Sequence, residues 1–233
     1  MDKLIDFLRE NSIELNDNQI DSYKFYMDKL LEWNEKINLT AITDKDEFVV
    51  KHYIDSLLVL NMDEYRKSKD VIDIGTGGGF PGIPLAIASP NKRFILEDSL
   101  LKRLKVIDDI SSEMDLDNIV TVHGRAEVLG KDENYRESFD LCVSRAVANL
   151  AVLCEYCLPF VHVGGYFLAY KGPEVDTELE NAAKAIDILG GKLIRVEEKD
   201  SFGYKHNIVV IKKVKKTPKK YPRKAGTPSK QPL

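Results

Sequence analysis

Leu4, Phe7 and Leu8 recur at helical spacing, with Ile5 at the edge of their face, and predict a short amphipathic helix. Ile20, Met27, Leu30 and Leu31 share one face of a second helix that ends near Trp33, with Asp17 as its candidate cap. A polar break, Asn34 to Thr40, precedes a third helix expected over Asp46–Asn61, with Phe48, Val49, Ile54, Leu57 and Leu58 as its buried positions. No period recurs across these segments, so they form a helical prelude and not a repeat.

From Asp70 the pattern changes to short β-prone runs alternating with helical stretches, the signature of βαβ units and a mainly parallel sheet. Strands are expected around Val71–Ile74 and over Arg93–Asp98, Ile119–His123, Phe139–Ser144 and Gly165–Tyr170. Helices are expected over Leu100–Met114, from just past Arg145 through Leu158, and over Glu174–Leu189. Two last strands, Lys192–Glu197 and Asn207–Ile211, are joined by a connection too short for a crossover helix and should pair antiparallel. The whole reads as an α/β, Rossmann-like, mostly parallel seven-stranded sheet. A helical extension (1–66) packs on it, the sheet domain spans 67–213, and a basic tail containing prolines follows (214–233).

The stretch Asp70–Pro84, DVIDIGTGGGFPGIP, places a tight glycine turn between the first strand and a helix. Such a turn sets bare backbone N–H groups and a helix N-terminus at the carboxyl end of a strand, where nucleotide-like ligands bind in open α/β sheets. Gly77-x-Gly79-x-x-Gly82 satisfies the dinucleotide pattern, but its register starts two residues inside the loop, because Gly75 already ends the strand. Phe80 stands where a dinucleotide fold needs a small residue, and Asp73 would repel phosphates but attract an ammonium or sulfonium. S-adenosylmethionine (AdoMet) carries both cations and no phosphate. It is favoured over a nicotinamide or flavin ligand and over an empty structural turn, and it makes the sheet that of a class I AdoMet-dependent methyltransferase, with Asp73, Gly75, Gly77 and Phe80 at the cofactor.

Charge sharpens this. The net −4 conceals a tail in which nine Lys/Arg lie between Lys212 and the end with no acid, leaving 25 basic against 38 acidic residues, a balance of −13, in the rest. An acidic body with a basic tail fits a nucleic-acid partner, and a merely solvated end fits the charge as well. Lys219, Lys220, Arg223 and Lys224 are the candidate phosphate contacts, with Pro218, Pro222 and Pro228 expected to keep the tail out of regular structure. No apolar run approaches the ~18 residues of a membrane span. Three cysteines and the absence of a signal-peptide pattern fit a reducing cytoplasm.

Further chemistry is expected at successive strand ends. Asp98 ends the second strand, 23 residues after Gly75, where a carboxylate can bond both ribose hydroxyls; Glu97 is its rival, since alternation turns only one of them toward a ligand. Ala126 and Glu127 follow the third strand, in reach of an adenine ring, and Arg145 follows the fourth, beside a reactive methyl. Arg145 is the candidate catalytic residue, positioning either the cofactor carboxylate or a substrate oxygen. Cys154 and Cys157 have metal-like spacing without a second pair, and no cluster of histidines suggests a metal. His52 and Asp55 share a helical face and are either a surface pair or part of the pocket.

These residues resemble the RsmG (GidB) family of bacterial methyltransferases that methylate guanine N7 in small-subunit ribosomal RNA. The resemblance runs through Asn38-Leu39-Thr40, His52-x-x-Asp55-Ser56-Leu57, the glycine turn Asp73–Gly82, and Asp98-Ser99-Leu100 with Lys102-Arg103. It continues through Gly124–Glu127, Ser144–Ala148 (SRAVA), Lys171-Gly172, Thr217-Pro218 and Tyr221–Lys224. The glycine turn is common to many methyltransferases, whereas SRAVA and the TP…YPRK tail are specific. The resemblance implies AdoMet positions at Gly75, Phe80, Ala126, Glu127 and Arg145, with Asp98 as the ribose acid, and 16S ribosomal RNA or the small subunit as partner. Glu97, where the family more usually has an apolar residue, is the one departure. The chemistry agrees: guanine N7 is an exposed lone pair with no proton to remove, so neither a nucleophilic cysteine nor an Asn/Asp-Pro-Pro-aromatic loop is required. A small-molecule methyltransferase and a non-catalytic AdoMet- or RNA-binding module are the alternatives.

Overall fold

The computed structural model describes all of residues 1–233. Seven strands make one sheet: β1 (Asp70–Ile74), β2 (Arg93–Asp98), β3 (Ile119–His123), β4 (Phe139–Arg145), β5 (Val161–Lys171), β6 (Gly191–Ser201) and β7 (Tyr204–Lys213). Their order is β3-β2-β1-β4-β5-β7-β6. The first five are parallel to one another, and β7 runs antiparallel between β5 and β6. The hairpin is longer than its apolar pattern predicts. Phe202 and Gly203, with φ of 52° and 79°, form a two-residue turn whose twist matches the strands, so pairing continues to Ser201 and Tyr204. Chain order reverses between β1 and β4, which puts the crevice for a ligand at the carboxyl ends of those strands.

Strand residues alternate strictly between two cores. Val71, Phe94, Leu141, Leu168 and Val210 belong to one, and Ile72, Ile95, Cys142, Phe167 and Val209 to the other. The first is covered by α1 (Asp2–Glu10), α2 (Asp17–Asn34), the segment α3 (Lys45–Phe48) to α4 (Asp55–Leu57), α5 (Asp63–Lys67), α6 (Gly82–Ala88) and α7 (Leu101–Glu113). The second is covered by α8 (Ala126–Leu129), α9 (Leu150–Cys157) and α10 (Val175–Ile188). The N-terminal helices therefore share a core with the sheet. Tyr23, Tyr26 and Tyr53 are fully buried among them. Each satisfies its hydroxyl by donating to a carbonyl, of Pro84 (2.6 Å), Gly78 (3.0 Å) and Tyr23 (2.6 Å) respectively. Two of these bonds tie α2 directly to the glycine turn and the helix after it.

Three expectations are corrected. Asn16, not Asp17, caps α2: its Oδ1 accepts the Gln19 N–H while Gln19 Oε1 accepts the Asn16 N–H, both at 3.0 Å, a reciprocal box. The single helix expected over Asp46–Asn61 is interrupted by a π-helical segment, Val49–Ile54, between α3 and α4. The tail is not excluded from regular structure. Pro228 sits in the first turn of a short helix, α11 (Thr227–Lys230), where its missing N–H costs nothing, and Tyr221 is buried in the second core.

Candidate active site

Four strand ends build a cavity of about 470 Å³. After β1, Gly75 turns the chain with φ of 72°, and a Cβ there would lie 2.5 Å from a methyl of Val147, so the position is closed to side chains before any ligand arrives. Gly79 (φ 86°) is closed in the same way by the Tyr26 hydroxyl, 2.4 Å from where its Cβ would stand. The turn's N–H groups are not bare. Gly75 donates to Glu97 Oε2 (3.0 Å), Gly77 to Asp98 Oδ2 (2.9 Å) and Gly82 to Asp73 Oδ2 (2.9 Å). Carboxylates thus occupy the donors that a phosphate-binding turn would offer, which disfavours a pyrophosphate ligand on geometry alone.

Asp73 does not face the cavity. It is fully buried beneath the turn, where Thr76 Oγ1 also donates to it (2.7 Å), and burial pushes its pKa up to about 7. Its place is that of a brace, which corrects the expectation of direct contact with a cationic ligand. Glu97 and Asp98 both line the cavity, contrary to simple alternation, because β2 ends there and the chain leaves the sheet. Asp98 is held on both oxygens, by Gly77 N–H and by Leu100 N–H (2.8 Å), with Arg103 at 3.4 Å. Glu97 accepts only the Gly75 N–H, and burial, reinforced by the charges of Asp98, Asp73 and Glu127, raises its pKa to about 8. A cation in the cavity would relieve that cost.

The remaining wall comes from Ala126 and Glu127 at the start of α8, from Tyr156 on α9, from Arg145 at the end of β4, and from Ala146 and Val147 just beyond it. Ala146 adopts φ of 57°, a left-handed conformation uncommon outside glycine, and so turns the chain sharply just after Arg145.

Arg145 and Ala146 also line a second cavity of about 390 Å³, with Lys51, His52, Asp55, Tyr170, Lys171 and His206. The π-helical segment and the α4 start that follows it bring His52 and Asp55 here. Arg145 pairs with Asp55 and donates to the carbonyl of Lys51 (3.1 Å). Its Nη2 lies 3.2 Å from His52 Nδ1; a guanidinium can only donate, so Nδ1 accepts and Nε2 donates to Thr40 Oγ1 (2.7 Å). Burial, with Arg145 beside it, drives the His52 pKa down to about 3, so the ring is neutral. The neutral ring stacks on Phe80 at 4.3 Å between centroids, with planes 5° apart, and Arg145 lies 5.5 Å above the same phenyl. His206 Nδ1 lies 2.9 Å from the other oxygen of Asp55. Burial works to raise the Asp55 pKa, but Arg145 and His206 together hold it below the usual carboxylate range.

The first cavity therefore brings together Gly75, Gly77, Phe80, Asp98, Ala126, Glu127 and Arg145, and leaves out Asp73. In the tail, Lys219, Lys220 and Lys224 are exposed, but Arg223 is not free for phosphate: its guanidinium grips Glu155 at 2.6–3.1 Å. Tyr156 and His206 carry no local pattern and were missed; Arg125, which also lines the cavity, lies within the Gly124–Glu127 motif but was given no role. Also missed was Asn34, whose side chain bonds Leu39 N–H, Thr40 N–H and the Thr40 carbonyl (2.7–2.9 Å) and so sets Thr40 against His52. The Asn38-Leu39-Thr40 motif was the only signal for it. No three His, Cys, Asp or Glu side chains converge to hold a metal ion. No helix is long and apolar enough to cross a membrane.

A seven-stranded sheet with an antiparallel β7, a glycine turn after β1 and a ligand cavity across the ends of β1–β4 define a class I AdoMet-dependent methyltransferase fold. Among solved structures, an O-methyltransferase from Bacillus cereus in complex with SAH superposes with a TM-score of 0.59 at 18% identity, over 89% of this chain and 96% of that one. The O-methyltransferase TomG from Streptomyces achromogenes superposes with a TM-score of 0.56 at 13% identity, over 87% and 92%. Residues 19–208 match the GidB family, described as rRNA small subunit methyltransferase G. Ribosomal RNA small subunit methyltransferase G of Clostridium novyi (strain NT) is 54% identical over 95% of this chain and 92% of its own length. That of Alkaliphilus metalliredigens (strain QYMF) is 48% identical over 99% and 97%. The chain belongs to the rRNA small subunit methyltransferase G family.

Proposed function

We propose that this chain transfers a methyl group from AdoMet to N7 of a guanine in 16S ribosomal RNA, as naked RNA or in the small subunit, in the cytoplasm. The observation that carries the reading is the shared wall: Arg145 and Ala146 separate, and open onto, both the 470 Å³ and the 390 Å³ cavities. One is large enough for the cofactor and the other for an acceptor base. The residues present suit AdoMet. The glycine turn has given its donors to carboxylates, Asp98 or Glu97 stands at the ribose position, Ala126 and Glu127 at the adenine, and an under-partnered buried Glu97 favours a cation. AdoMet, when bound, supplies a methyl group on a positively charged sulfur.

This chain's own residues hold and orient. Phe80 and His52 form a stacked, uncharged pair beside Arg145, and Arg145, fixed by Asp55 and two backbone carbonyls, presents a rigid cation where a guanine oxygen next to N7 can be read. His52 is neutral with both ring nitrogens engaged, so it is not arranged as a general base, and N7 needs none. Alignment of methyl and nitrogen alone can supply roughly 7–11 kcal/mol. The N7 edge lies in the narrow major groove of paired RNA, so a loop or splayed base is the expected target. The test is to incubate the protein with labelled AdoMet and unmodified small subunits or their RNA, and to map the methyl. Label on guanine N7 that disappears in Arg145→Ala, with RNA binding retained, supports the reading; label on another atom, or normal transfer by Arg145→Ala at saturating ligands, overturns it.

A further inference from the structure

The C-terminal segment meets the body at a series of buried points, and one of them is a residue of the larger cavity. Thr217 donates its N–H to Glu137 (2.8 Å) and its hydroxyl to the Leu189 carbonyl (2.7 Å). Arg136 reaches out to the carbonyls of Thr217 (2.8 Å) and Tyr221 (2.9 Å). Glu155, on α9, is fully buried, and all its hydrogen bonds come from Arg223: the backbone N–H at 2.7 Å, Nε at 3.0 and 3.1 Å, and Nη2 at 2.6 Å. Three residues later Gly226, with φ of 79°, turns its N–H onto Glu127 Oε1 at 2.8 Å. Glu127 lines the cavity and is itself buried, and its other oxygen has no protein partner.

We infer that residues 217–226 are a strap that positions Glu127 for the cofactor, with the Arg223–Glu155 pair as its anchor and the Gly226 N–H as the contact that aims the carboxylate. This assigns Arg223 a positioning role in cofactor binding instead of a phosphate contact. A carboxylate at the start of a four-residue helix has little to fix its rotamer; one oxygen tethered from outside leaves the second directed at a ligand amine. The anchor is strong because a buried carboxylate with one partner cannot release it without leaving an uncompensated charge. Gly226 suits its place, since the left-handed turn delivers the N–H and a larger residue would resist it.

The inference rests on the reading of the larger cavity as the AdoMet site, and the experiment separates the two. AdoMet affinity is measured by calorimetry on the full chain for wild type, Glu127→Ala, Arg223→Ala and the pair. Glu127→Ala is expected to weaken AdoMet tenfold or more and Arg223→Ala about tenfold, whereas Arg223→Ala added to Glu127→Ala changes affinity less than twofold, because its effect passes through Glu127. Arg223→Lys keeps the cation and loses the fork; it is expected to weaken AdoMet about threefold in the native background only, and it replaces Arg223→Ala if that variant does not fold. Unchanged affinity in Glu127→Ala overturns the assignment of Glu127 to the cofactor, and the strap with it. A weakened Glu127→Ala beside a wild-type-like Arg223→Ala overturns the strap alone. So does an Arg223→Ala loss of equal size in both backgrounds, which is what a general structural defect produces.

Discussion

The Arg145 guanidinium has little freedom: Asp55 and the carbonyls of Lys51 and His52 engage Nη1, His52 Nδ1 engages one hydrogen of Nη2, and Phe80 lies beneath it, which leaves Nε and the second Nη2 hydrogen for a ligand. Asp55 gives this arrangement its counter-charge. Asp55→Asn keeps the shape and removes the charge, leaving a guanidinium that is only 12% exposed without its partner. A loss of about 3 kcal/mol in urea unfolding is expected, with methyl transfer down about tenfold or more. The carboxylates on the other side of Arg145 behave oppositely with pH. Glu97 and Asp73, at about 8 and about 7, lie above their unfolded values of 4.5 and 3.8, so between those limits the native state holds protons that the unfolded chain has released. Their contribution is therefore fully present at low pH and is lost as pH rises toward 8. Without cofactor, the protein is expected to lose on the order of 2 kcal/mol between pH 5.5 and 8, and Glu97→Gln to flatten that slope. A stability that rises over this interval in the wild type, or an unchanged slope in the variant, contradicts the assignment.

At the scale of elements, a glycine that shapes a turn and one that admits a ligand make different predictions, and Gly75 is both. Its φ of 72° and the Val147 methyl 2.5 Å from a would-be Cβ mean that Gly75→Val strains the free protein as well as the cofactor site. Lost AdoMet binding together with a melting temperature several degrees lower is expected by calorimetry and thermal denaturation. Elements stand out in the sequence where two independent signals coincide. β2 and β3 were legible to the residue because short apolar, β-prone runs are bounded by polar turns. The π-helical segment was not: Val49, Tyr53 and Ile54 keep a helical spacing that does not distinguish a five-residue hydrogen bond from a four-residue one. Yet that segment carries His52 and leads straight into Asp55, so half of the candidate site was visible only as an unassigned pair. His206 lay beyond any local pattern because it reaches Asp55 from β7, 151 positions along the chain.

For the molecule as a whole, the acidic body and basic end were legible as charge, but how the end is held was not. Composition separates Lys/Arg from Asp/Glu; it does not say which cations are tied down. Arg223 is tied down by Glu155, and Lys213, wholly buried, donates to the Leu158 and Val161 carbonyls (2.6 and 3.0 Å), its pKa lowered by burial to about 8. Lys219, Lys220 and Lys224 are exposed and make no ion pair, so the strap that fixes Glu127 also holds these three cations outward. They remain the candidates for phosphate. Replacing all three by Ala removes three charges and, of the strap's own contacts, only the Lys220 ammonium 5.2 Å over the Tyr221 ring, while the hydrogen bonds of Thr217, Tyr221, Arg223 and Gly226 with the body remain. Each phosphate contact to single-stranded RNA contributes roughly 0.7 to the slope of log affinity against log salt, so the slope is expected to become shallower by about 2 and RNA affinity to fall most at low salt. AdoMet affinity is expected to stay within twofold of wild type, in contrast to truncation before Thr217, which strips Glu155 of its partner and should cost both ligands. Titrating ribosomal RNA at several salt concentrations, with AdoMet calorimetry alongside, checks both halves. An unchanged slope in the triple variant moves the RNA contacts to the cations at the cavity mouth, Arg103 and Arg125.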